Sequence, residues 1–190
     1  MRVVVTGCTG FIGSHLIPAL AGAGYDVAGI VEPGSAGGLG DFPSHIVDIC
    51  GGDGLAAAFI RADVVIHLAA RSHILRERSM DPLSEYRKVN VEGTRNVFRA
   101  ASAAGVKLFL SMSSVKAMGE GSEIVLDEGD DCRPSTPYGI SKLESEEAVR
   151  AEAVGTGITV MILRLPTVYG PGNKGNLPRM IRWAENGYPF

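Results

Sequence analysis

Short apolar runs alternate along this sequence with longer segments of helical periodicity. The runs are rich in β-branched residues and predict strands at 2–6, 26–31, 44–49, 62–70, 107–113 and 158–165. Helices are predicted at 11–24, 53–60, 82–104 and from about 138 to 154. Strands that alternate with helices form a parallel sheet covered on both faces. We therefore predict an α/β fold with a doubly wound parallel sheet.

A glycine-rich stretch joins the first predicted strand to the first predicted helix. In TGCTGFIG, residues 6–13, Gly7, Gly10 and Gly13 follow one another at intervals of three. In a dinucleotide-binding loop the first glycine permits a tight turn, the second lets the backbone approach a pyrophosphate, and the third allows close helix packing. The helix N-terminus offers free N–H groups to the phosphates. This predicts a Rossmann-type sheet that binds a dinucleotide, with simple turn glycines as the alternative.

An acidic residue is expected near the end of the second strand, where it would hold the adenosine ribose hydroxyls. Glu32 is the only acid there, although Val31 occupies the position where the acid more usually lies. No Arg or Lys lies between Arg2 and Arg61 to bind a 2′-phosphate. We therefore predict NAD rather than NADP. Asp48 ends the third predicted strand and would either contact the adenine or cap a helix.

The stretch STPYGISK places Tyr138 four residues before Lys142 near the start of a predicted helix. This spacing puts both side chains on one helix face. A free phenol has a pKa of about 10 and is a poor base at neutral pH, whereas a nearby ammonium and the positive nicotinamide ring of an oxidised cofactor would both favour the phenolate. A solvated helix face with an accidental pairing is the alternative. The dinucleotide loop upstream, and a serine at the end of the preceding strand, favour a catalytic pair.

Six motifs occur in an order and at separations typical of one family. They are TGCTGFIG, DVVIHLAA, VNVEGTRNV, FLSMSSVKAMG, TPYGISK and LRLPTVYGPG. With them the chain resembles the extended short-chain dehydrogenases/reductases, and within these the NAD-dependent nucleotide-sugar epimerase/dehydratase family. Members usually continue into a smaller C-terminal region that closes over the sugar. The resemblance implies an NAD-binding domain at 1–165, the start of a substrate-binding region at 166–190, and a truncated protein.

The resemblance also implies catalytic roles. Tyr138 would remove the proton from a sugar hydroxyl while hydride leaves to the nicotinamide, and Lys142 would in addition hydrogen-bond the nicotinamide ribose. Ser114 would orient the reacting oxygen, with Ser113 as the alternative if the alignment shifts by one residue. Asn90 would support the active site, and a buried asparagine that satisfies helix carbonyls is the alternative.

Further residues are implied around each ligand. Those around the cofactor are Gly7, Gly10, Phe11, Ile12, Gly13, Glu32, Asp48, Ile49, Leu68, Ala69, Ala70, Tyr138, Lys142 and Leu165. Those around the substrate are Ser72, His73, Ser114, Thr167, Asn176 and Leu177. His73 is at least as well explained as a surface histidine. Thr167 stands where many sugar epimerases have an asparagine that contacts the phosphates of the nucleotide-sugar.

Two classes of function are compatible with these motifs. The first is an enzyme that modifies a nucleotide-sugar, with 4-epimerisation of a UDP-sugar through a transient 4-keto intermediate favoured over 4-keto reduction. Dehydration is disfavoured, because Val115 and Lys116 follow Ser114 where dehydratases usually have Asp–Glu. The second is a non-catalytic dinucleotide sensor that regulates a partner. Such sensors tend to lose the Tyr or the Lys, and both are present here. We therefore predict an enzyme, most simply an isomerase.

Composition limits the partners of the chain. With 18 basic and 21 acidic residues the net charge is −3, so no polybasic surface is predicted for nucleic acid or an anionic membrane. The cysteines are scattered, and His15, His45 and His67 are far apart, so we predict no metal site and structural histidines. The odd cysteine count fits a reducing compartment. Neither a signal peptide nor an apolar run of membrane-spanning length is seen, which predicts a cytoplasmic protein.

A self-association surface is also predicted. The helices at 82–104 and 138–154 carry apolar stripes that include Val89, Val97 and Ala101. Core packing is one explanation of such stripes. Because the family commonly pairs these two helices between subunits, a homodimer formed through a helix bundle is the other.

Overall fold

A parallel sheet with helices on both faces organises the chain. The computed structural model describes residues 1–35, 40–72, 79–122, 124–173 and 177–188. Within these residues the strands are β1 (Arg2–Thr6), β2 (Asp26–Val31), β3 (Ser44–Ile46), β4 (Val64–His67), β5 (Leu108–Ser114) and β6 (Thr159–Leu165). They lie in the order β3-β2-β1-β4-β5-β6, and all neighbouring strands are parallel. The predicted α/β fold of Rossmann type is confirmed.

The helices follow the predicted alternation with two differences. They are α1 (Phe11–Gly22), α2 (Leu55–Ala58), α3 (Pro82–Arg87), α4 (Thr94–Ala103), α5 (Pro137–Ala153) and α6 (Leu177–Glu185), with a π-helix at Lys88–Gly93 and a 3₁₀-helix at Val115–Ala117. The single helix predicted over 82–104 is therefore interrupted by a π-helical turn, a feature frequent at functional sites. The sequence patterns above do not predict α6.

Two predicted strands are longer than the observed ones. β3 ends at Ile46 and β4 at His67, whereas the apolar runs continue to residues 49 and 70. Val47 and Ile49 lie beyond the end of β3, although the backbone N–H of Val47 still donates to the carbonyl of Val31, and both are buried in the core. Their apolar character therefore reflects packing against the helices, which periodicity alone does not distinguish from strand pairing.

The core has one layer on each face of the sheet, because successive strand residues point to opposite faces. On one face Val4 of β1 packs in a cluster with Phe98 of α4 and Phe109 of β5. On the other, Val3 and its neighbours pack against Ile17 of α1. These two layers fix α1 on one face of the sheet and α4 and α5 on the other.

The predicted apolar stripe on the long helices belongs to this core. Val97 and Ala101 are fully buried within the chain, and Val89 packs against the same cluster. The outward surface of the helices carries ion pairs instead, including Arg87–Glu144 and Arg99–Glu152. Core packing is thus the explanation of the stripe, and a homodimer stays a prediction. In the described part of the chain, no helix combines the length and apolar character needed to cross a bilayer.

The strand order reverses between β1 and β4, since the chain fills one side of the sheet before crossing to the other. Ligands of such sheets bind outside the carboxyl ends of the strands at this point. The carboxyl ends of β1, β4 and β5 lead into the glycine-rich loop, the two alanines and the two serines singled out from the sequence. The topology therefore brings the predicted cofactor and catalytic residues to one edge of the sheet.

Candidate active site

The glycine-rich loop has the geometry of a cradle that side chains would fill. Gly7 has a φ of +64°, and a Cβ there would lie 2.6 Å from the backbone nitrogen of Ala69. A Cβ on Gly13 would lie 2.5 Å from Cα of Cys8. Gly10 is more open, with the Gly7 carbonyl oxygen 3.1 Å from its Cβ position. The three glycines thus provide the tight turn, the open backbone and the close helix packing that a dinucleotide loop needs.

The N-terminus of α1 faces this loop with its backbone donors available. Gly10 is the N-cap residue of α1 and has no side chain that could accept a hydrogen bond from the first turn of the helix. Phe11 and Ile12, in the first turn, are half-buried. Free N–H groups at a helix N-terminus favour a phosphate. The residues present therefore fit the pyrophosphate of a dinucleotide.

A buried histidine connects this loop to the helices. Nδ1 of His67 lies 2.7 Å from the Thr6 hydroxyl, and Nε2 lies 2.8 Å from the Thr94 hydroxyl. Thr94 donates to the carbonyl of Asn90, so Nε2 of His67 is the donor to Thr94 and Nδ1 accepts from Thr6. Thr6 in turn accepts from the backbone N–H of Ala69. The predicted structural role of His67 is thus a directional chain of hydrogen bonds across β1, β4 and the π-helix.

The electrostatic environment of His67 keeps its ring neutral. Burial, together with the positive charge of Lys142, lowers the pKa of His67 to about 3. Both ring nitrogens are used, one as donor and one as acceptor, which only the neutral form permits. The histidine therefore fixes the end of β4, and with it Ala69, without carrying a charge near the cofactor loop.

Asn90 lies in the π-helix and links two parts of the site. Its carboxamide oxygen accepts from the backbone N–H of Arg71 at 2.8 Å, and its nitrogen donates to the Arg71 carbonyl and to Ser141. Ser141 donates to the backbone carbonyl of Tyr138 at 2.8 Å. Asn90 therefore satisfies the loop after β4 rather than helix carbonyls. It holds that loop against the start of α5.

The two adjacent serines at the end of β5 point to different partners. Ser114 shares a side-chain hydrogen bond with Tyr138 and accepts from the backbone N–H of Lys116. Ser113 is buried and donates to Glu146 at 2.5 Å. This geometry favours Ser114, not Ser113, as the hydroxyl beside the phenol. The role of Ser114 in a reaction stays a prediction.

Lys142 lies one turn after Tyr138 on α5, but its ammonium has another partner. Nζ of Lys142 donates to the carbonyl of Met112 at 2.6 Å, and the side chain is buried. Burial lowers the pKa of Lys142 to about 8, against the opposing effect of Glu146. The backbone of β5 thus holds the ammonium of Lys142.

The protein's own groups do not produce the expected fall in the pKa of the Tyr138 phenol. Burial raises this pKa, and the nearby Tyr86 adds to the effect, while the hydrogen bond with Ser114 lowers it. Burial dominates because it disfavours the charged phenolate. The prediction that Lys142 and the positive nicotinamide ring of oxidised NAD both favour the phenolate stays a prediction.

The predicted ribose and adenine contacts fall at the ends of β2 and β3. Glu32 directly follows β2 and is exposed, whereas the side chain of Val31 is buried and unable to face a ribose. Glu32 is therefore the better placed of the two. The carboxylate of Asp48 accepts from the backbone N–H of Cys50 at 2.8 Å, so it caps a turn rather than a helix. Ile49 is buried against Gly93.

The other predicted residues lie near the same sheet edge, with some outside the described residues. Leu68, Ala69, Ala70 and Ser72 are half-buried after β4, Leu165 is half-buried at the end of β6, and Thr167 is exposed beyond it. Leu177 begins α6. His73 and Asn176 lie outside the described residues. The ligand contacts of these residues stay predictions.

Two residues beside Tyr138 escape the motif analysis. Tyr86 of α3 meets the ring of Tyr138 edge to face, with the ring centroids 6.0 Å apart. The guanidinium carbon of Arg71 lies 5.3 Å from the centroid of Tyr86. Neither has a motif to mark it, because aromatic contacts between distant segments leave no local spacing in the sequence. The ring of Tyr86 and the guanidinium of Arg71 thus place an aromatic group and a cation near the phenol.

The family model described as the NAD dependent epimerase/dehydratase family matches residues 3–189. The chain belongs to this family. A UDP-glucose 4-epimerase from Vibrio cholerae is 34% identical over 191 residues, which cover 99% of this chain and 58% of that protein. A dTDP-glucose 4,6-dehydratase from Streptomyces griseus is 29% identical, over 98% of this chain and 61% of that protein. The predicted family is confirmed.

Solved structures of family members have the same fold. MoeE5 in complex with UDP-glucuronic acid and NAD superimposes with a TM-score of 0.84 at 33% identity, over 96% of this chain and 61% of that one. A UDP-glucuronic acid 4-epimerase from Bacillus cereus in complex with NAD gives a TM-score of 0.82 at 29% identity, covering 100% and 64%. The family is NAD-dependent, which confirms the predicted cofactor. The chain spans about three fifths of the length of these relatives.

Proposed function

We propose that the protein is a nucleotide-sugar 4-epimerase that inverts C4 of a UDP-sugar through a transient 4-keto intermediate. The observation that carries this proposal is the cluster of Ser114, Tyr138 and Lys142 at the carboxyl edge of the sheet, beside the cofactor loop. A phenol hydrogen-bonded to a hydroxyl, about one helical turn from a buried lysine, is suited to take a proton from an alcohol and return it. The relatives of this chain include UDP-glucose 4-epimerases, which supports a UDP-sugar substrate.

Each residue has a distinct task in this proposal. The loop from Gly7 to Gly13 holds the pyrophosphate of NAD, Glu32 accepts from the adenosine ribose, and Lys142 donates to the nicotinamide ribose. Bound NAD supplies a hydride acceptor and a positive charge that counters the effect of burial on the phenol. Tyr138 removes the proton from the C4 hydroxyl and later returns it, while Ser114 orients that hydroxyl.

Dehydration is the second candidate, because dTDP-glucose 4,6-dehydratases are also among the relatives. Elimination of water next to a ketone requires an acid and a base close to the adjacent carbons. The residues after Ser114 are Val115, which is apolar, and Lys116, whose ammonium is paired with Glu120 at 2.6 Å. They do not offer such a pair, which supports epimerisation. A purely sensory protein would have no need of the complete Ser, Tyr and Lys set.

Several finer predictions belong with this proposal. They are the division at residues 165 and 166, the homodimer, the cytoplasmic location and the substrate contacts of Ser72, His73, Thr167, Asn176 and Leu177. A direct test of the function is to incubate the full-length protein with NAD and UDP-glucose and to follow the anomeric proton signals by NMR. Appearance of UDP-galactose is expected. A product with a 6-deoxy-4-keto sugar would support dehydration instead.

NAD should bind more tightly than NADP. The exposed carboxylate of Glu32 accepts from the ribose hydroxyls but repels a 2′-phosphate. Since a hydrogen bond to a charged group contributes about 1.5–3 kcal/mol, we expect a preference of at least about tenfold for NAD. Isothermal titration calorimetry with both dinucleotides measures it. Glu32→Gln should reduce the preference, and Asp41→Asn, an exposed acid outside the proposed site, serves as the control. Equal or tighter binding of NADP by the unaltered protein would overturn the assignment.

A further inference from the structure

Three side chains at four-residue intervals on α5 contact the last three residues of β5. Tyr138 shares its hydrogen bond with Ser114, and Lys142 donates to the carbonyl of Met112. One turn further along α5, Glu146 accepts from Ser113. The first two side chains belong to the proposed catalytic set. The third contacts the same strand end but has no part in the mechanism described above.

The carboxylate of Glu146 is buried and fully engaged. Its residue is only 1% exposed, and it accepts from Nε and Nη2 of Arg164, the latter at 2.8 Å, and from Arg150 at 3.2 Å. Ser113 and Arg164 face each other as register partners on β5 and β6. A single carboxylate therefore ties α5 to two neighbouring strands at the edge of the sheet where the candidate site lies.

We propose that Glu146 is a positioning residue for the catalytic set, because its carboxylate fixes the carboxyl ends of β5 and β6 against α5 and so holds Ser114 and Lys142 in place beside Tyr138. The inference rests on the proposed function. Glu146 is too far along the helix to share the phenol's partners, and it acts through Ser113 and Lys142. Truncation of a buried, paired charge disturbs its surroundings strongly, since it leaves the partner uncompensated.

The charge of Glu146 has a second consequence for Lys142. Glu146 raises the pKa of Lys142 against the effect of burial, which lowers it to about 8. The other titratable groups around the lysine are Tyr138 on α5 and His67 on β4, both neutral at pH 7, while Arg164 on β6 is compensated by Glu146 itself. The positive charge of Arg150 is likewise compensated by its ion pair with Glu146. Loss of the carboxylate therefore removes the anion that raises the pKa of Lys142.

The sign of the expected pH effect follows from this arrangement. A buried lysine with a lowered pKa is charged below that pKa and becomes neutral as the pH rises through it. A further fall in the pKa of Lys142 moves this transition to lower pH. The limb of the pH–rate profile that reports loss of the ammonium should move in the same direction. If the ion pairs of Glu146 served only stability, their loss would lower the midpoint of unfolding but leave the titration midpoint of Lys142 unchanged.

Glu146→Gln tests this proposal, with Glu152→Gln as the matched control. Glu152 lies on the same helix and accepts from Arg99 at 2.6 Å, but on the outward surface. Lysines labelled with ¹³C at Cε allow the titration of Lys142 to be followed by NMR, and Lys142→Arg identifies its signal. We expect the midpoint to fall by about one pH unit in Glu146→Gln, with a matching shift of the basic limb of kcat/KM. Glu152→Gln should titrate like the unaltered protein.

An unchanged Lys142 midpoint in folded Glu146→Gln would overturn the proposal. If that variant fails to fold, the double variant Glu146→Gln with Arg164→Gln is titrated beside Arg164→Gln alone, because this comparison isolates the effect of the carboxylate, and equal Lys142 midpoints in these two variants would overturn the proposal. The NMR titration needs no turnover. Failure of UDP-sugar epimerisation in the unaltered protein would therefore refute the proposed function while the titration still reported on Glu146.

Discussion

Replacement of Tyr138 with Phe in the full-length enzyme should lower turnover of the UDP-sugar by roughly 10²–10⁴, the range that a positioned acid–base group supplies. The substitution removes one hydroxyl and leaves the edge-to-face contact with Tyr86 in place. NAD affinity should change little, since the pyrophosphate is proposed to bind at the glycine-rich loop. Initial rates and calorimetric titration of NAD on the same preparation measure the two effects separately.

Tyr25→Phe is the matched control for this experiment. Tyr25 lies just before β2, at the amino end of the sheet and opposite the candidate site. Loss of its hydroxyl should leave turnover within about twofold, as is usual for a surface change of this kind. If Tyr138→Phe retained similar activity, Tyr138 would be part of a helix surface and not the acid–base group.

Gly7→Ala should destabilise the fold by about 3–5 kcal/mol, through backbone strain at positive φ added to a steric clash. The new methyl group would lie 2.6 Å from the nitrogen and 2.8 Å from Cα of Ala69, and neither is the end of a flexible side chain. The strand ends of β1 and β4 would have to separate. Because a domain has about 5–15 kcal/mol of stability in total, the loss should be plain in a denaturant titration.

Gly22→Ala provides the comparison on the same helix and loop unit. Gly22 ends α1, and a Cβ there meets no atom within 4 Å. Alanine at such a position should be neutral or stabilising by up to about 1 kcal/mol, because it restricts the unfolded chain. Equal stability of the two variants would show that the loop yields to a side chain at Gly7 and is not a rigid cradle.

Much of the fold can be predicted from local sequence patterns, since each strand of this parallel sheet corresponds to a separate apolar run. The predicted strands are too long where apolar residues are buried by packing on helices and not by pairing with another strand. Val47 and Ile49 extend an apolar run past the end of β3 because they pack on helices. The π-helical turn at Lys88–Gly93 was not deducible from the periodicity over 82–104, since one extra residue per turn shifts the apolar pattern only slightly.

The candidate site shows a similar division. The spacing of Tyr138 and Lys142 predicts their common helix face, and the structure distinguishes Ser114 from Ser113 by their partners. The direction of the Tyr138 pKa did not follow from that spacing, because burial depends on the whole fold. Glu146 continues the same four-residue interval, and its position was therefore open to inference from the sequence.

The account depends most on the proposal that C4 is oxidised and then reduced within one active site. UDP-glucose that carries deuterium at C4 tests this directly, with NMR and mass spectrometry of the product formed by the full-length protein with NAD. The account predicts UDP-galactose that retains the deuterium at C4, with no stable ketone released. Loss of the label to solvent, accumulation of a 4-keto-6-deoxy product, or no conversion of any UDP-sugar would contradict it.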